Sequence, residues 1–477
     1  MPEEFFINVL PKEIRIAILE NKILQEIIVE RNFRQSEIGN IYKGRVTRVV
    51  PGIQAAFIDI GEERAAFLHV SDVSDQAKDI RDVVQVGQDL FVQVYKDPLG
   101  TKGPRVTTQF TLPSRYLVFT PGNFEINISQ KITDEKERAR MLALLKSSQV
   151  GGYIFRTVAE HIAESEILKD QQYLDSLWQE ISERMRSAKT GERVYVEPSI
   201  LLRVLRDHAG CDVERIRVDN EMAATQMKDF AKKYLPFFTD RIEFYAEERP
   251  LFDIFSVEKE LQEALEPKVN LKSGGYIVFD QTEAMTTIDV NTGSFLGRDN
   301  LEQTIFKTNL EAVETIARQL RLRNIGGIII IDFIDMQEET HKTAVLQALS
   351  SALEKDPVRT EISELSRLGL VQMTRKRDRE SLERTLCISC PTCRRRGSIK
   401  SLTTMGYEII RELKRSNQLF DWPGFLVRAA SPVIEYLKAE ESALLEELTT
   451  KWNKPIELKV ETSYGQEQFD VLPGQNK

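Results

Sequence analysis

Asp289 and Asp332 occupy the same kind of place in this sequence. Asp289 lies near the end of the β run that starts at Ala284, in Ile288-Asp289-Val290-Asn291, and Asp332 directly follows the apolar run Ile328 to Ile331. Strands of one sheet lie ~4.8 Å apart, so neighbouring strand ends can aim two carboxylates at one ion. Mg²⁺ is bound through one or two carboxylates, with waters and substrate phosphate completing its shell. Asn291 sits two residues after Asp289, on the same side of an extended strand, and can orient a carboxylate or a phosphate oxygen. A metal held there would activate water and stabilise the charge developing on a phosphodiester, with no histidine or cysteine nucleophile needed. Spacing alone leans to a plainer reading, in which both carboxylates only cap turns or pair with arginine.

Three of the four cysteines cluster as Cys387, Cys390 and Cys393. Thiolates separated by two residues chelate one tetrahedral metal. A disulfide framework makes little sense in a large chain without a signal peptide. An iron–sulfur run would need a further adjacent cysteine followed by proline. One chain offers only these three thiols and the distant Cys211, so a second chain would complete a four-cysteine zinc site and make zinc a dimer link. Arg156-Thr157 sets a guanidinium fork beside a hydroxyl, a pairing suited to a terminal phosphate. An isolated dipeptide of this kind is more often part of a structural salt bridge.

The elements that must place these residues follow from periodicity. Residues 5–31 alternate, with a turn at Glu20-Asn21. Ile41 to Val50, Ile53 to Ile60, Ala65 to Val70 and Leu90 to Tyr95 are short strands broken by turns, a spacing that suits an OB-fold. Phe57 and Phe67 lie in two of these strands. On an OB surface they would stack bases, but pattern alone favours the core for both. Lys96 and Lys102 flank a turn where phosphates can bind. Helices are expected over 133–147, 164–186 and 221–234, and a glycine-led strand over Gly151 to Thr157. Asp299-Asn300-Leu301-Glu302 resembles a capping box. The helix it opens has Leu301, Ile305, Ala312, Ile316 and Leu320 on one face, and Gly326-Gly327 ends it.

The 477 residues suggest about three to five domains. The hydrophobic fraction of 41% and charged fraction of 29% are ordinary for a soluble protein. No apolar run reaches the ~20 residues of a membrane span, and the acidic start Met1-Pro2-Glu3-Glu4 lacks a signal-peptide layout. A cytoplasmic protein is expected. The net charge of −9 speaks mildly against a polyanionic partner, but binding depends on local patches. Basic clusters occur at Arg318, Arg321 and Arg323; at Arg375, Lys376, Arg377 and Arg379; and at Arg394, Arg395 and Arg396. Two of these flank the cysteines, which weights them towards RNA rather than a solvated face.

Together these stretches resemble the catalytic region of the ribonuclease E/G family. The resemblance is carried by Gly39 to Val46, Ala55 to Gly61, Asp97 to Gly103, Ser273 to Tyr276, Gln281 to Gly293, Ile316 to Arg323 and Ile331 to Met336. It covers nearly the whole chain. It implies a multidomain α/β and α+β protein: an RNase H-like domain split over 1–35 and 200–265, an S1-type OB-fold over 36–110 and a 5′-end sensor over 111–199. It further implies a DNase I-like catalytic domain over 266–385, a zinc link over 386–400 and a small domain over 401–477. The family's catalytic residues fall on Asp289, Asn291 and Asp332, with Mg²⁺ on the two aspartates. Its RNA contacts fall on Phe57, Phe67, Lys102 and Arg359, its 5′-monophosphate sensor on Arg156 and Thr157, and its zinc thiolates on Cys390 and Cys393, two from each protomer. For Phe57 and Phe67 the resemblance overrides the core reading.

Two departures stand out. The family usually has glycines soon after its second cysteine, as Cys-x-Gly-x-Gly; here Arg394, Arg395 and Arg396 intervene before Gly397, so a different turn is expected, and Cys387 is extra to the motif. The end at Lys477, without a long disordered scaffold, suggests the family's short form. The activity implied is Mg²⁺-dependent cutting of single-stranded, A/U-rich RNA to leave 3′-hydroxyl and 5′-phosphate ends, in messenger RNA decay and ribosomal RNA 5′ maturation. The partners implied are RNA and a second copy of the chain, with pairing of dimers into tetramers left open. The rival is a non-catalytic RNA-binding or ribosome-assembly protein with a structural zinc, which has no reason to keep the Asp289, Asn291 and Asp332 set together. A DNA nuclease is a weaker third reading.

Overall fold

The computed structural model describes residues 3–31, 36–74, 77–98, 103–145, 150–207, 213–293, 301–366, 368–377, 379–394 and 396–474. Lys102, Cys211, Asp299, Asn300 and Arg395 lie outside them. The chain divides into two compact units, 1–385 and 386–477.

The first unit opens with an antiparallel meander of Glu3–Leu10, Glu13–Glu20 and Ile23–Arg31. The second turn falls at Asn21-Lys22, one residue later than expected. Both residues have positive φ, 51° and 66°, as a tight two-residue hairpin requires. Two strands from far along the chain extend this sheet in parallel, Val213–Val218 beside the first strand and Ile242–Phe244 beyond it. Helices Ile200–Asp207 and Glu221–Tyr234 cover one face, burying Val204, Leu205, Ala224 and Met227 against Phe5, Ile7 and Ile216.

Residues 41–107 close a barrel. Strand Ile41–Val50 pairs with both Ala55–Asp59 and Asp89–Lys96, while Ala66–His69 and Arg105–Thr107 complete the ring. The short strand Arg193–Tyr195 also joins Ile41–Val50. The barrel sheet therefore draws on sequence beyond residue 110, through a three-residue strand too short to show a period. Between them, residues 112–155 form a four-stranded sheet packed on the long helix Glu164–Ser187.

The fourth sheet has six strands, in the order Lys268–Asn270, Tyr276–Gln281, Met285–Asn291, Gly327–Asp332, Leu370–Arg375 and Thr360–Leu365. The crossover helix Leu301–Leu322 joins the parallel pair at its centre. This helix and Glu339–Leu353 bury Ala312, Val313, Ile316, Leu320, Val345 and Leu349 against Ile288, Val290, Ile329 and Ile331. The second unit is a three-stranded sheet with helices Leu402–Leu419, Ser431–Ala439 and Ser442–Trp452 around one core. Among the described residues no helix is long and apolar enough to cross a membrane.

Candidate active site and RNA-binding face

The strands Met285–Asn291 and Gly327–Asp332 run parallel in a register that makes Asp289 and Asp332 direct partners. Their alternate residues Ile288, Val290, Ile329 and Ile331 enter the core. A strand's side chains alternate between faces, so both aspartates project from the helix-free face, and both are exposed. The Asn291 amide donates to Asp289 Oδ2 at 2.8 Å. Gly293 follows with φ +58°, where a Cβ would lie 2.4 Å from the Gly274 carbonyl oxygen. Only glycine passes that point without strain.

Partial burial raises the Asp332 proton affinity, and the neighbouring charges of Asp289 and Asp335 raise it further. Asp335 was not singled out in the sequence, because it lies past the strand end in an irregular segment. Among the described residues no group of three or more metal-ligating side chains converges. Two side-by-side carboxylates that repel one another, open to solvent on one face, are nevertheless a donor set that fits a hydrated divalent cation.

The barrel presents a second site. Ala56, Ile58, Ala66 and Leu68 fill its core, so the alternate positions, Phe57 and Phe67, lie on the outer face. They are direct cross-strand partners with ring centroids 5.9 Å apart at 80°. The Arg48 guanidinium lies 4.6 Å over Phe57. Arg105 sits 6.0 Å from Phe67 and 5.3 Å from Tyr95, and Asp72 holds it through an ion pair at 3.0 Å. Tyr95 also donates to Asp72 at 2.9 Å. Half-buried aromatics with cations around them make a base-stacking surface. The Arg48, Tyr95 and Arg105 contributions were missed, although all three lie in or next to strands of the expected barrel. Phe67→Ala is expected to weaken single-stranded RNA binding by ~1–3 kcal/mol and to leave the thermal midpoint nearly unchanged. Fluorescence anisotropy with a short oligonucleotide checks this, and parental affinity would remove Phe67 from the surface.

Arg156 ends the strand Gly151–Phe155. Its Nη1 donates to the Ser114 carbonyl at 2.6 Å and pairs with Asp207 at 3.1 Å. Thr157 is exposed, and its hydroxyl lies 2.9 Å from that of Ser129. The two residues are thus adjacent and anchored just past the end of an interior strand of their sheet. Arg359 is exposed and pairs with Glu361 at 2.6 Å.

Cys387 and Cys390 are exposed and Cys393 partly so, all with free thiols. Backbone N–H groups of Cys393 and Thr392 and the Cys393 side chain hold the Cys390 thiol below its usual pKa. Directly after Cys393, Arg394 takes a left-handed φ of 50°, a conformation that costs a non-glycine residue ~1–2 kcal/mol. Gly397 follows at φ 72°. Two thiols on one turn fit half of a tetrahedral zinc shell.

The structure gives the arginines of the first two basic clusters partners within the protein, which corrects the RNA reading of the second. Arg318 donates to the Leu24 carbonyl at 3.0 Å and pairs with Glu260, and Arg321 pairs with Glu20 at 2.9 Å. Arg323 is buried 4.7 Å over the Phe279 ring, where desolvation pulls it down to about 10. Arg375 is buried against Asp356 at 2.7 Å, Arg377 donates to the Gly326 carbonyl at 2.8 Å and Arg379 pairs with Glu26. Most of these arginines fasten the fourth sheet and its crossover helix to the first sheet and to the neighbouring turns. In the third cluster Arg396 pairs with Glu467.

Comparison with known proteins agrees with this geometry. A model of the S1 RNA binding domain matches residues 35–97, which defines a protein that binds RNA through its barrel. The model of the ribonuclease E/G family matches residues 111–378. Ribonuclease G of Escherichia coli K12 is 50% identical over 99% of this chain and all of its own length. Ribonuclease G of Haemophilus influenzae is 48% identical over 98% of the chain and 99% of its own length. Ribonuclease E of a Nostoc species is 38% identical over 80% of the chain and 58% of its own length. The chain belongs to the ribonuclease E/G family and is an endoribonuclease. The non-catalytic reading falls away.

Proposed function

We propose that this endoribonuclease cuts single-stranded, A/U-rich RNA in a Mg²⁺-dependent reaction, prefers a 5′-monophosphate, and serves messenger RNA decay and ribosomal RNA 5′ maturation. The observation that carries the reading is the direct register of Asp289 against Asp332 on one open face. These two carboxylates would hold Mg²⁺, which supplies an activated water and charge stabilisation when bound. Asn291 restrains one oxygen of Asp289 and so fixes which lone pairs remain free. Phe57 and Phe67 grip the bases, with Lys102 as a phosphate contact, and hold the strand extended. Arg156 and Thr157 receive the terminal phosphate, and Arg359 contributes a further RNA contact.

Cys390 and Cys393 of two chains share a zinc ion that links a homodimer, which can pair into a tetramer. The RNase H-like division over 1–35 and 200–265 and the DNase I-like division over 266–385 belong to the same reading. The split first sheet and the two-helix-backed fourth sheet support them. The enzyme works in the cytoplasm.

In Mg²⁺, an A/U-rich RNA with a 5′-monophosphate is expected to be cut several-fold faster than its 5′-hydroxyl counterpart. Arg156→Gln should erase the difference. Equal rates in the parent enzyme would overturn the sensor assignment, and undiminished cutting in EDTA would overturn the metal.

A further inference from the structure

Asn309 lies in the middle of the crossover helix Leu301–Leu322 and is fully buried. Asparagine is a poor residue for a helix interior, and burying its amide costs free energy unless both ends are bonded. Here both ends engage one residue. Nδ2 donates to the Ile334 carbonyl at 2.8 Å, and the Ile334 N–H donates to Oδ1 at 3.1 Å. Ile334 stands two residues after Asp332 and one before Asp335, in a segment that belongs to neither strand nor helix. Its backbone therefore takes partners from a side chain.

The same helix face continues the grip. Residues 302, 306 and 309 are spaced by four and three, which stacks them on one side. Glu302 accepts from the Gln337 and Glu338 N–H groups at 3.0 and 3.2 Å and lies 3.1 Å from His341 Nδ1. Phe306 stacks on His341 with centroids 4.2 Å apart at 12°. Asn309 is the member of this stripe nearest Asp332 in sequence. It fixes the direction in which the chain leaves the strand that carries Asp332.

We infer that Asn309 is a positioning residue for the Asp289–Asp332 pair, acting through the Ile334 peptide; this rests on the reading that the pair holds the catalytic metal. Side chains that orient metal ligands typically carry ~10–100-fold effects on affinity or activity. Two variants of the full chain test it. Asn309→Leu matches the size and removes both bonds, and Asn309→Asp keeps the shape and an acceptor for the Ile334 N–H. In Asn309→Leu the kcat for RNA cleavage is expected to fall ~10–100-fold, with KM within about twofold of the parent. Half-saturating Mg²⁺ should rise several-fold, and so should the Kd for Mn²⁺ measured by electron paramagnetic resonance without RNA. Amides in 333–338 should exchange hydrogen faster than in the parent. Asn309→Asp should recover part of the kcat.

A folded variant with parental kcat, Mn²⁺ affinity and amide exchange overturns the inference. If Asn309→Leu fails to fold, Asn309→Asp is judged by the same criteria. Asp332→Asn runs alongside. Full cutting by Asp332→Asn sinks the catalytic pair itself, whereas its inactivity beside an unaffected Asn309 variant sinks only the positioning role.

Discussion

Asp289→Asn is expected to slow RNA cleavage by at least ~10³-fold, which corresponds to about 4 kcal/mol of transition-state stabilisation, while RNA affinity stays near the parental value. The substitution is isosteric. Its amide oxygen can still accept from Asn291 Nδ2, which lies 2.8 Å from Asp289 Oδ2, so the strand end keeps its local order. What changes is charge. Asp332 then faces a neutral amide across the sheet, and the proton affinity that Asp289 helps to raise in Asp332 is relieved. In the proposed metal site a hard cation would lose one of its two anionic ligands and be held far less firmly. The proposed base-stacking surface around Phe57, Phe67 and Arg105 lies on the barrel, and the substitution leaves it untouched. Single-turnover cleavage and anisotropy on the same oligonucleotide separate the two effects. A rate within about tenfold of the parent would move catalysis away from Asp289. Equal loss of binding and cutting would instead place Asp289 in the RNA-gripping surface.

What could be read from the sequence depended on whether the signal was local. Asp289 and Asp332 were visible because each follows an apolar run that ends in a carboxylate. Their register as partners was not, because the crossover helix Leu301–Leu322 sets it from a distance. Phe57 and Phe67 were ambiguous for a physical reason. The barrel core is built partly of alanines, Ala56 and Ala66, so the largest residues in those strands look like core and are not. The arginine runs misled in the opposite direction. A charge run shows no partner, and Glu20, Glu26, Glu260 and Asp356 lie far from these arginines or in other elements. Asn309 was invisible because a lone polar residue in an amphipathic helix ordinarily faces water.

The second large effect concerns the cysteine turn. In the proposed zinc-linked dimer, Cys390→Ser is expected to bring zinc from about one ion per two chains, the stoichiometry of a shared four-thiolate site, to near zero, and to yield monomers. The N–H groups of Cys393 and Thr392 point at the Cys390 sulfur and ease loss of its proton, and a thiolate is the form that binds metal. A serine hydroxyl accepts those bonds but stays protonated near neutral pH, so the turn survives while the ligand is lost. A shared structural zinc supplies the free energy of association itself, so losing one thiolate from each chain breaks the link rather than loosening it. Metal analysis and light scattering on the same sample report both quantities. Cys387→Ser should leave both unchanged. If the two variants exchange behaviour, Cys387 is the ligand and Cys390 only stabilises the turn. If neither changes the mass, the dimer is held by surfaces other than this turn.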